Sequence, residues 1–199
     1  MKNRNRAIMS YITLLLLMGS SSCVSLSPSI TETQTTEDFD LSEITWSTYQ
    51  DPELGYSLQY PSSWFYFTSA DPLEENSLSQ IVLFSSALGN TSPQIRSEDE
   101  EARLVVNSYP TKSSDDVETW LLESPLMEFP STRLDINGFE AIRIVTPPEN
   151  EDDLSTHVFL FLIAPGRRYS LVGTISAGSH AAVWSQVIDY MLISFNPDS

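Results

Sequence analysis

The chain has 199 residues, a length that accommodates one domain of ordinary size with short appendages. Ten Lys and Arg residues against 27 Asp and Glu residues give a formal net charge of -17, and such an acidic surface repels phosphate, which argues against nucleic-acid binding. Hydrophobic residues make up 41% of the chain, enough to build a core. The single cysteine, Cys23, excludes an intramolecular disulfide framework and a cysteine-based zinc site.

The N-terminus has the pattern of a secretory signal peptide. A basic start, Met1 to Arg6, precedes a mostly apolar run from Ala7 to Met18. As a helix this run covers about 18 Å, short of the roughly 30 Å hydrocarbon core of a bilayer, so a cleaved signal fits better than a transmembrane helix. We therefore assign residues 1–22 to a signal peptide.

Cys23 directly follows a run of small residues, Gly19 to Ser22. This arrangement resembles the bacterial lipobox, in which cleavage leaves an acylated cysteine as the new first residue, although Ser20 occupies a position that is usually aliphatic. The resemblance implies lipidation of Cys23, for example with palmitate, and a membrane anchor on the extracytoplasmic face of a cell membrane or outer membrane. The alternative is an ordinary signal peptide with a cysteine whose thiol is buried or has no role.

A polar segment separates the cysteine from the rest of the chain. Residues 24–42 are rich in Ser, Thr and acidic residues and lack helical or strand periodicity, which is typical of a flexible tether. We therefore predict a lipidated cysteine with its tether over 23–44 and a folded domain over 45–199. Removal of the signal peptide leaves seven basic and 27 acidic residues, a mature charge of -20.

The folded part is rich in strand and hairpin signals. Asn137-Gly138 and Pro165-Gly166 each separate two strand-like runs, as in β-hairpins. Two helices are predicted, one beginning near Ser113 and one with an apolar stripe over Ser179 to Leu192. Hairpins combined with helices indicate the α+β class. The predicted strands cover residues 46–49, 55–60, 64–67, 79–85, 102–108, 133–136, 139–145, 156–164 and 169–175.

The segment Gly55 to Trp64, GYSLQYPSSW, resembles the opening of PsbP/Mog1-like domains, where a Gly-aromatic-x-aliphatic-x-Tyr-Pro-x-x-Trp pattern recurs. The resemblance extends over Thr48 to Phe195. It implies an α/β/α sandwich with a central, largely antiparallel sheet. Members of this family mostly bind other macromolecules, and the family carries no shared catalytic residues.

Signals for catalysis and cofactor binding are absent from the sequence. His157, in a strand, is expected to be a packed or edge residue, and His180, at the start of the last helix, a solvated one. The sequence contains no Gly-x-Ser-x-Gly elbow, P-loop, dinucleotide fingerprint or His-Glu-x-x-His motif. We therefore predict no catalytic residues, no cofactor and no metal ligands.

Two acidic clusters and an aromatic run remain as candidate sites. The clusters Glu98 to Glu101 and Glu149 to Asp153 are interpreted as solvated loops, with cation binding by the second as the alternative. The run Phe65-Tyr66-Phe67 must turn at least one ring away from the others in a strand. Such a ring is either covered by another element or part of a partner-binding patch.

The sequence thus favours a lipid-anchored extracytoplasmic accessory module without catalytic activity, whose protein partner it does not identify. The alternative is an envelope protein that binds a small molecule or a cation through the loop from Glu151 to Asp153, with or without hydrolytic activity.

Overall fold

A computed structural model of the chain describes residues 41–70, 80–92, 95–111, 116–122, 124–148 and 154–197. These residues form ten strands, two α-helices, and two 3-10 helices over Leu41–Glu43 and Pro125–Glu128. The strands are β1 (Trp46–Asp51), β2 (Tyr56–Pro61), β3 (Phe65–Ala70), β4 (Gln80–Ser85), β5 (Ala102–Pro110), β6 (Ser131–Ile136), β7 (Phe139–Thr146), β8 (Thr156–Ala164), β9 (Arg167–Ile175) and β10 (Asn196–Pro197). The helices are α1 (Val117–Leu122) and α2 (Ala181–Ser194).

Seven strands form the main sheet, in the order β3-β4-β5-β9-β8-β7-β6, and all of its pairings are antiparallel. The two hairpins expected at Asn137-Gly138 and Pro165-Gly166 are present as β6–β7 and β8–β9. Asn137 and Gly138 have φ values of 52° and 90°, the left-handed conformation that a two-residue hairpin turn requires. The prediction of an α+β fold with a largely antiparallel central sheet is therefore confirmed.

Strand β8 shows how the sheet separates two apolar layers. Its residues Val158, Leu160 and Leu162 belong to the large core that includes the buried face of α2. The alternate residues Phe159 and Phe161 pack with the smaller cluster under α1. Because successive side chains of a strand point to opposite faces, the two helices cover opposite sides of the sheet, as in an α/β/α sandwich.

The first hairpin does not join the main sheet. Strands β1 and β2 pair with each other, and the short strand β10 adds to β2, which makes a separate three-stranded sheet. Tyr56 and Leu58 of β2 are fully buried in the large core. The side chain of Asp51 accepts hydrogen bonds from the amides of Glu53 and Leu54 and so fixes the turn between β1 and β2.

Helix α2 approaches the sheet closely where Gly173 lies on β9. A Cβ atom built on Gly173 would lie 2.4 Å from Cγ2 of Ile188, which is less than any normal contact. Val187 and Met191 of the same helix are fully buried. Glycine at this position therefore permits the helix to lie against the strand.

The predicted beginnings of two segments differ from the observed ones. Ser113, the expected start of the first helix, lies outside the described residues, and α1 begins at Val117 with Asp116 as its cap, since Asp116 accepts a hydrogen bond of 2.7 Å from the amide of Thr119. Leu41 and Ile44, at the end of the predicted tether, pack against the large core. The packed chain therefore includes residues before 45.

Candidate functional site

The most exposed run of large apolar side chains on a described strand lies on β3. Phe65, Tyr66 and Phe67 are 42%, 53% and 40% exposed, and Tyr66 points to the opposite face of the strand from the two Phe rings, as predicted for three consecutive strand residues. Because β3 is the outermost strand of the main sheet in the part of the chain that the structure describes, these rings lie at the rim of the molecule. We call residues 65–70 the aromatic edge.

Tyr66 rests on other aromatic rings rather than standing free. Its ring lies edge to face with Tyr49 of β1 at 5.1 Å between centroids and with Tyr60 of β2 at 5.9 Å. Phe84, on the neighbouring strand β4, completes the group at 6.1 Å. Aromatic pairs of this geometry stabilise by about 0.5–1.5 kcal/mol beyond the area they bury. The aromatic edge is therefore a fixed surface in which Tyr66 joins the two sheets.

The ladder between β4 and β5 reveals the orientation of the backbone along β4. The amide of Ser86, one residue after β4, donates a 3.1 Å hydrogen bond to the carbonyl oxygen of Ala102 on β5. Backbone groups alternate in direction along an antiparallel strand, so those of Leu83 point the other way, towards β3. Leu83 is paired with Phe67, whose N–H and C=O groups therefore face β4.

The same alternation directs the backbone groups of Tyr66 and Thr68 away from the sheet. In the described residues β3 has a neighbouring strand on one side only, so these N–H and C=O groups line an open edge. The side chain of Thr68 is exposed as well. An open edge of this kind is a template on which another extended chain can pair.

The opposite edge of the same sheet is protected by charge. Strand β6 carries Arg133 and Asp135, both exposed, and Arg133 forms ion pairs with Glu118 and Glu140. Charged side chains on an edge strand discourage pairing with other chains. Strand β3 contains no charged residue, so the two edges of one sheet differ in the feature that controls strand addition.

Basic residues are also absent from a long stretch around the aromatic edge. Residues 7–95 contain neither Lys nor Arg. Within the described stretch 41–70, the charged residues are Glu43, Asp51 and Glu53, all acidic. The part of the chain that builds β1 to β4 is thus uniformly acidic.

The two histidines differ in their surroundings. His157 is half-buried on β8, with Nδ1 3.2 Å from the hydroxyl of Thr174, as expected for a packed strand residue. His180 is exposed, as predicted, but it is not simply solvated, because Nδ1 lies 3.1 Å from a carboxylate oxygen of Glu101. The other oxygen of Glu101 accepts a 2.8 Å hydrogen bond from the indole of Trp184. These two contacts of the Glu101 carboxylate link the first turn of α2 to the residue that precedes β5.

The interpretation of Glu98 to Glu101 as a wholly solvated loop is wrong for Glu100. This residue is only 2% exposed, and its carboxylate accepts hydrogen bonds from Ser85 at 2.6 Å and Asn90 at 2.8 Å. Arg103 forms an ion pair with it at 3.9 Å. A carboxylate is buried only where such partners replace water, and partners distant in sequence cannot be inferred from the acidic run itself.

Two other sequence candidates lie outside the described residues: Cys23, with the whole predicted signal peptide, and the acidic cluster Glu149 to Asp153. Within the described ranges, no three His, Cys, Asp or Glu residues are grouped so that they could hold a metal ion. No described helix has the length and apolarity needed to cross a bilayer.

Two of the surface cavities in the described part of the chain lie beside α2. The first, of about 410 Å³, lies beside the end of α2 and is bordered by Gln59, Asn137 and Ser194. The second, of about 330 Å³, lies beside Leu154 and Gly178. In the first, the polar groups already bond to one another or to the backbone, since Asn137 donates to the carbonyl of Phe195 and Ser194 accepts from the amide of Gln59. We place the candidate site at the aromatic edge, where exposed rings lie beside an open strand edge.

Comparison by sequence identifies no relative: no protein-family model matches the chain, and no curated protein matches it. Comparison by structure identifies solved proteins of similar fold. The solution structure of the PsbP protein CyanoP from Synechocystis sp. PCC 6803 superposes with a TM-score of 0.50 at 13% identity, over 77% of this chain and 93% of that one. The chain has the PsbP/Mog1-like fold.

Two further solved structures are similar to a lesser degree. The Ran-binding protein Mog1p of Saccharomyces cerevisiae has a TM-score of 0.45 at 8% identity, over 78% of this chain and 97% of that one. A Bacteroides thetaiotaomicron protein has a TM-score of 0.49 at 13% identity, and the superposition covers 76% of this chain. The present chain spans about half the length of the Bacteroides protein, 48%. At these identities the likeness concerns the fold alone.

Proposed function

We propose that this protein is a lipid-anchored, extracytoplasmic accessory module that binds a protein partner in a membrane-associated complex and has no catalytic activity. The observation that carries the proposal is the aromatic edge, a strand that has exposed rings and no charged residue. Its residue Tyr66 packs against the rings of Tyr49, Tyr60 and Phe84. Acylated Cys23, after removal of residues 1–22, supplies the anchor. The polar segment that follows the cysteine holds the domain away from the membrane surface.

The physical properties of the edge support a binding role. Aromatic side chains are enriched at the energetic centres of protein interfaces, because they bury a large area at a small entropic cost. The exposed rings of Phe65 and Phe67 flank the ring of Tyr66, so a partner meets apolar surface on both sides of one strand. The fold supports the same role by analogy, since PsbP/Mog1-like proteins mostly act by binding.

Site-specific photo-cross-linking in the producing cell tests the proposal. A photoreactive phenylalanine analogue replaces Tyr66 in the full chain, and a matched control carries it at Thr132, an exposed position on the opposite edge strand β6. We expect one membrane protein to be captured in near-stoichiometric amount from position 66 and not from position 132. Equal capture from both positions, or capture from neither, would contradict the proposal.

A further inference from the structure

We infer that the aromatic edge binds an extended, Lys- or Arg-rich segment of its partner protein by β-strand addition, so that this segment pairs with β3 as an eighth strand of the main sheet. The inference rests on the proposed function and specifies how the partner is recognised. It follows from three properties of the edge: the direction of its backbone groups, the absence of charged residues on β3, and the sign of the charge around it.

The backbone supplies the first contacts. The N–H and C=O groups of Tyr66 and Thr68 point away from β4, as the direction of the ladder through Ser86 and Ala102 requires. A partner strand that follows the six residues of β3 extends over about 20 Å. Main-chain hydrogen bonds provide affinity in this mode, and pockets for alternate side chains provide specificity.

The side chains of β3 would meet alternate residues of the added strand. Phe65 and Phe67 lie on the face of the small buried cluster formed by Ile81, Leu83 and Val105. Tyr66 lies on the opposite face, against Tyr49. The added strand therefore needs apolar or long aliphatic side chains on both faces, which Lys and Arg also provide through their methylene stems.

The negative charge of this protein favours a basic partner and argues against a second copy of this chain as the strand that pairs with β3. Two mature chains that each carry a net charge of -20 repel each other, and the segment that builds β1 to β4 contains no Lys or Arg, since none occurs between positions 7 and 95. A basic segment is attracted by the same surface, and such complementarity raises the association rate and suppresses wrong partners. The chemistry of the edge thus fits a cationic strand.

A synthetic probe allows the mode to be tested before the natural partner is known. The full chain, labelled with nitrogen-15 and held in a non-ionic detergent, is titrated with a ten-residue peptide of alternating Val and Lys and, separately, with one of alternating Val and Glu. Amide hydrogen exchange is followed by NMR. We expect the Lys peptide to slow exchange at Tyr66 and Thr68 at least ten-fold and the Glu peptide to have no effect.

Three substitutions locate the site. Thr68→Pro removes an outward N–H group without removing a bond to β4, so we expect binding to be lost while the domain stays folded. Thr68→Lys places a like charge against the basic peptide and should weaken binding at least ten-fold, whereas Thr68→Glu should not weaken it. Thr132→Lys, the same change on the charged edge β6, should leave binding unchanged.

The outcomes separate this inference from the proposed function. Cross-linking at position 66 without protection of Tyr66 and Thr68 by the Lys peptide would overturn strand addition and leave the accessory role standing. Protection by the peptide without cross-linking would support strand addition and count against the accessory role. Equal weakening by Thr68→Lys and Thr132→Lys would overturn the inference, since it would show non-specific attraction. Dimerisation of the free chain that Thr68→Pro abolishes would overturn it in favour of a second copy.

Discussion

The rings of Tyr66 and Tyr49 meet edge to face with their centroids 5.1 Å apart, so the most exposed ring of β3 is held by a residue of the other sheet. Immobilising a flexible side chain on binding costs about 0.5–1.5 kcal/mol. Because the contact with Tyr49 already restricts the ring of Tyr66, little of this cost remains when a partner binds. The three-stranded sheet therefore restricts the ring of Tyr66 at the edge of the main sheet before a partner binds.

Replacement of Tyr66 by Ala should abolish partner binding at little cost to the fold. The ring is 53% exposed, so its removal should lower the free energy of unfolding by about 1 kcal/mol, mainly through the lost ring contacts. Urea unfolding measures the change in stability, and the fraction of the partner that co-purifies with each chain measures the change in binding. Tyr190→Ala is the matched control, because Tyr190 is also exposed and in ring contact, with Trp46, but lies on α2. A similar loss of binding in both variants would contradict the assignment.

Gly173→Ala should destabilise the domain by about 1–3 kcal/mol, because the added methyl group would lie 2.4 Å from Cγ2 of Ile188 and force α2 away from β9. Gly178→Ala provides the control, since a Cβ there has no heavy atom within 4 Å. Chemical unfolding of the three chains checks the difference. Equal stability of the two variants would show that α2 can move without cost.

Local signals were sufficient to predict strands β1 to β9 and the two α-helices. Asn137-Gly138 marks a hairpin by itself, and the spacing of Val187, Ile188 and Met191 marks the buried face of a helix. The sequence also predicted that one ring of the run at 65–67 points away from the other two, because successive side chains of a strand alternate. Each of these inferences depends on residues close to one another in the chain.

Features that depend on distant residues could not be predicted in this way. The burial of Glu100 requires Ser85, fifteen residues earlier, and the contact of Trp184 with Glu101 joins residues 83 apart. The small sheet likewise joins β2 to β10, which follows it by more than 130 residues. The edge position of β3 depends likewise on the order of all seven strands. One signal was present in the sequence: residues 65–70 contain no charge.

Glu100→Ala should lower the free energy of unfolding by about 1–3 kcal/mol, because Ser85 and Asn90 lose the carboxylate that accepts their hydrogen bonds and the buried ion pair with Arg103 is broken. Glu98→Ala should have almost no effect, since Glu98 is exposed in the same acidic run. Thermal unfolding of both variants at neutral pH tests this. A Glu100→Ala variant as stable as the unmodified chain would restore the solvated-loop interpretation.

Cys23→Ala should abolish labelling by a fatty-acid precursor and release the protein from the membrane fraction. Acyl chains contribute about 0.8 kcal/mol per buried methylene group, and one chain alone gives only marginal anchoring. Val24→Ala, which keeps the cysteine, should preserve labelling. Labelling that persists in Cys23→Ala would exclude a lipobox at this position.

Glu101 should make a small, pH-dependent contribution to stability. The hydrogen bond with His180, followed by that from Trp184, lowers the pKa of the Glu101 carboxyl from its usual 4.5. A carboxyl whose pKa is lower in the folded state stabilises the fold fully above its unfolded value, and this contribution disappears as the pH falls through the folded value. The carboxylate also lies at the N-terminal turn of α2, where a negative charge is favourable.

Titration of the Glu101 carboxyl carbon by NMR measures this effect. We expect a midpoint below pH 4.5 in the unmodified chain and a higher one in His180→Asn, because that variant loses the larger of the two contributions. His157→Asn, which changes the other histidine, should leave the midpoint where it was. In Glu101→Gln, unfolding measurements below pH 4.5 should show a weaker dependence on pH than in the unmodified chain. An identical midpoint before and after the His180 substitution would mean that the contact with Glu101 does not persist in solution.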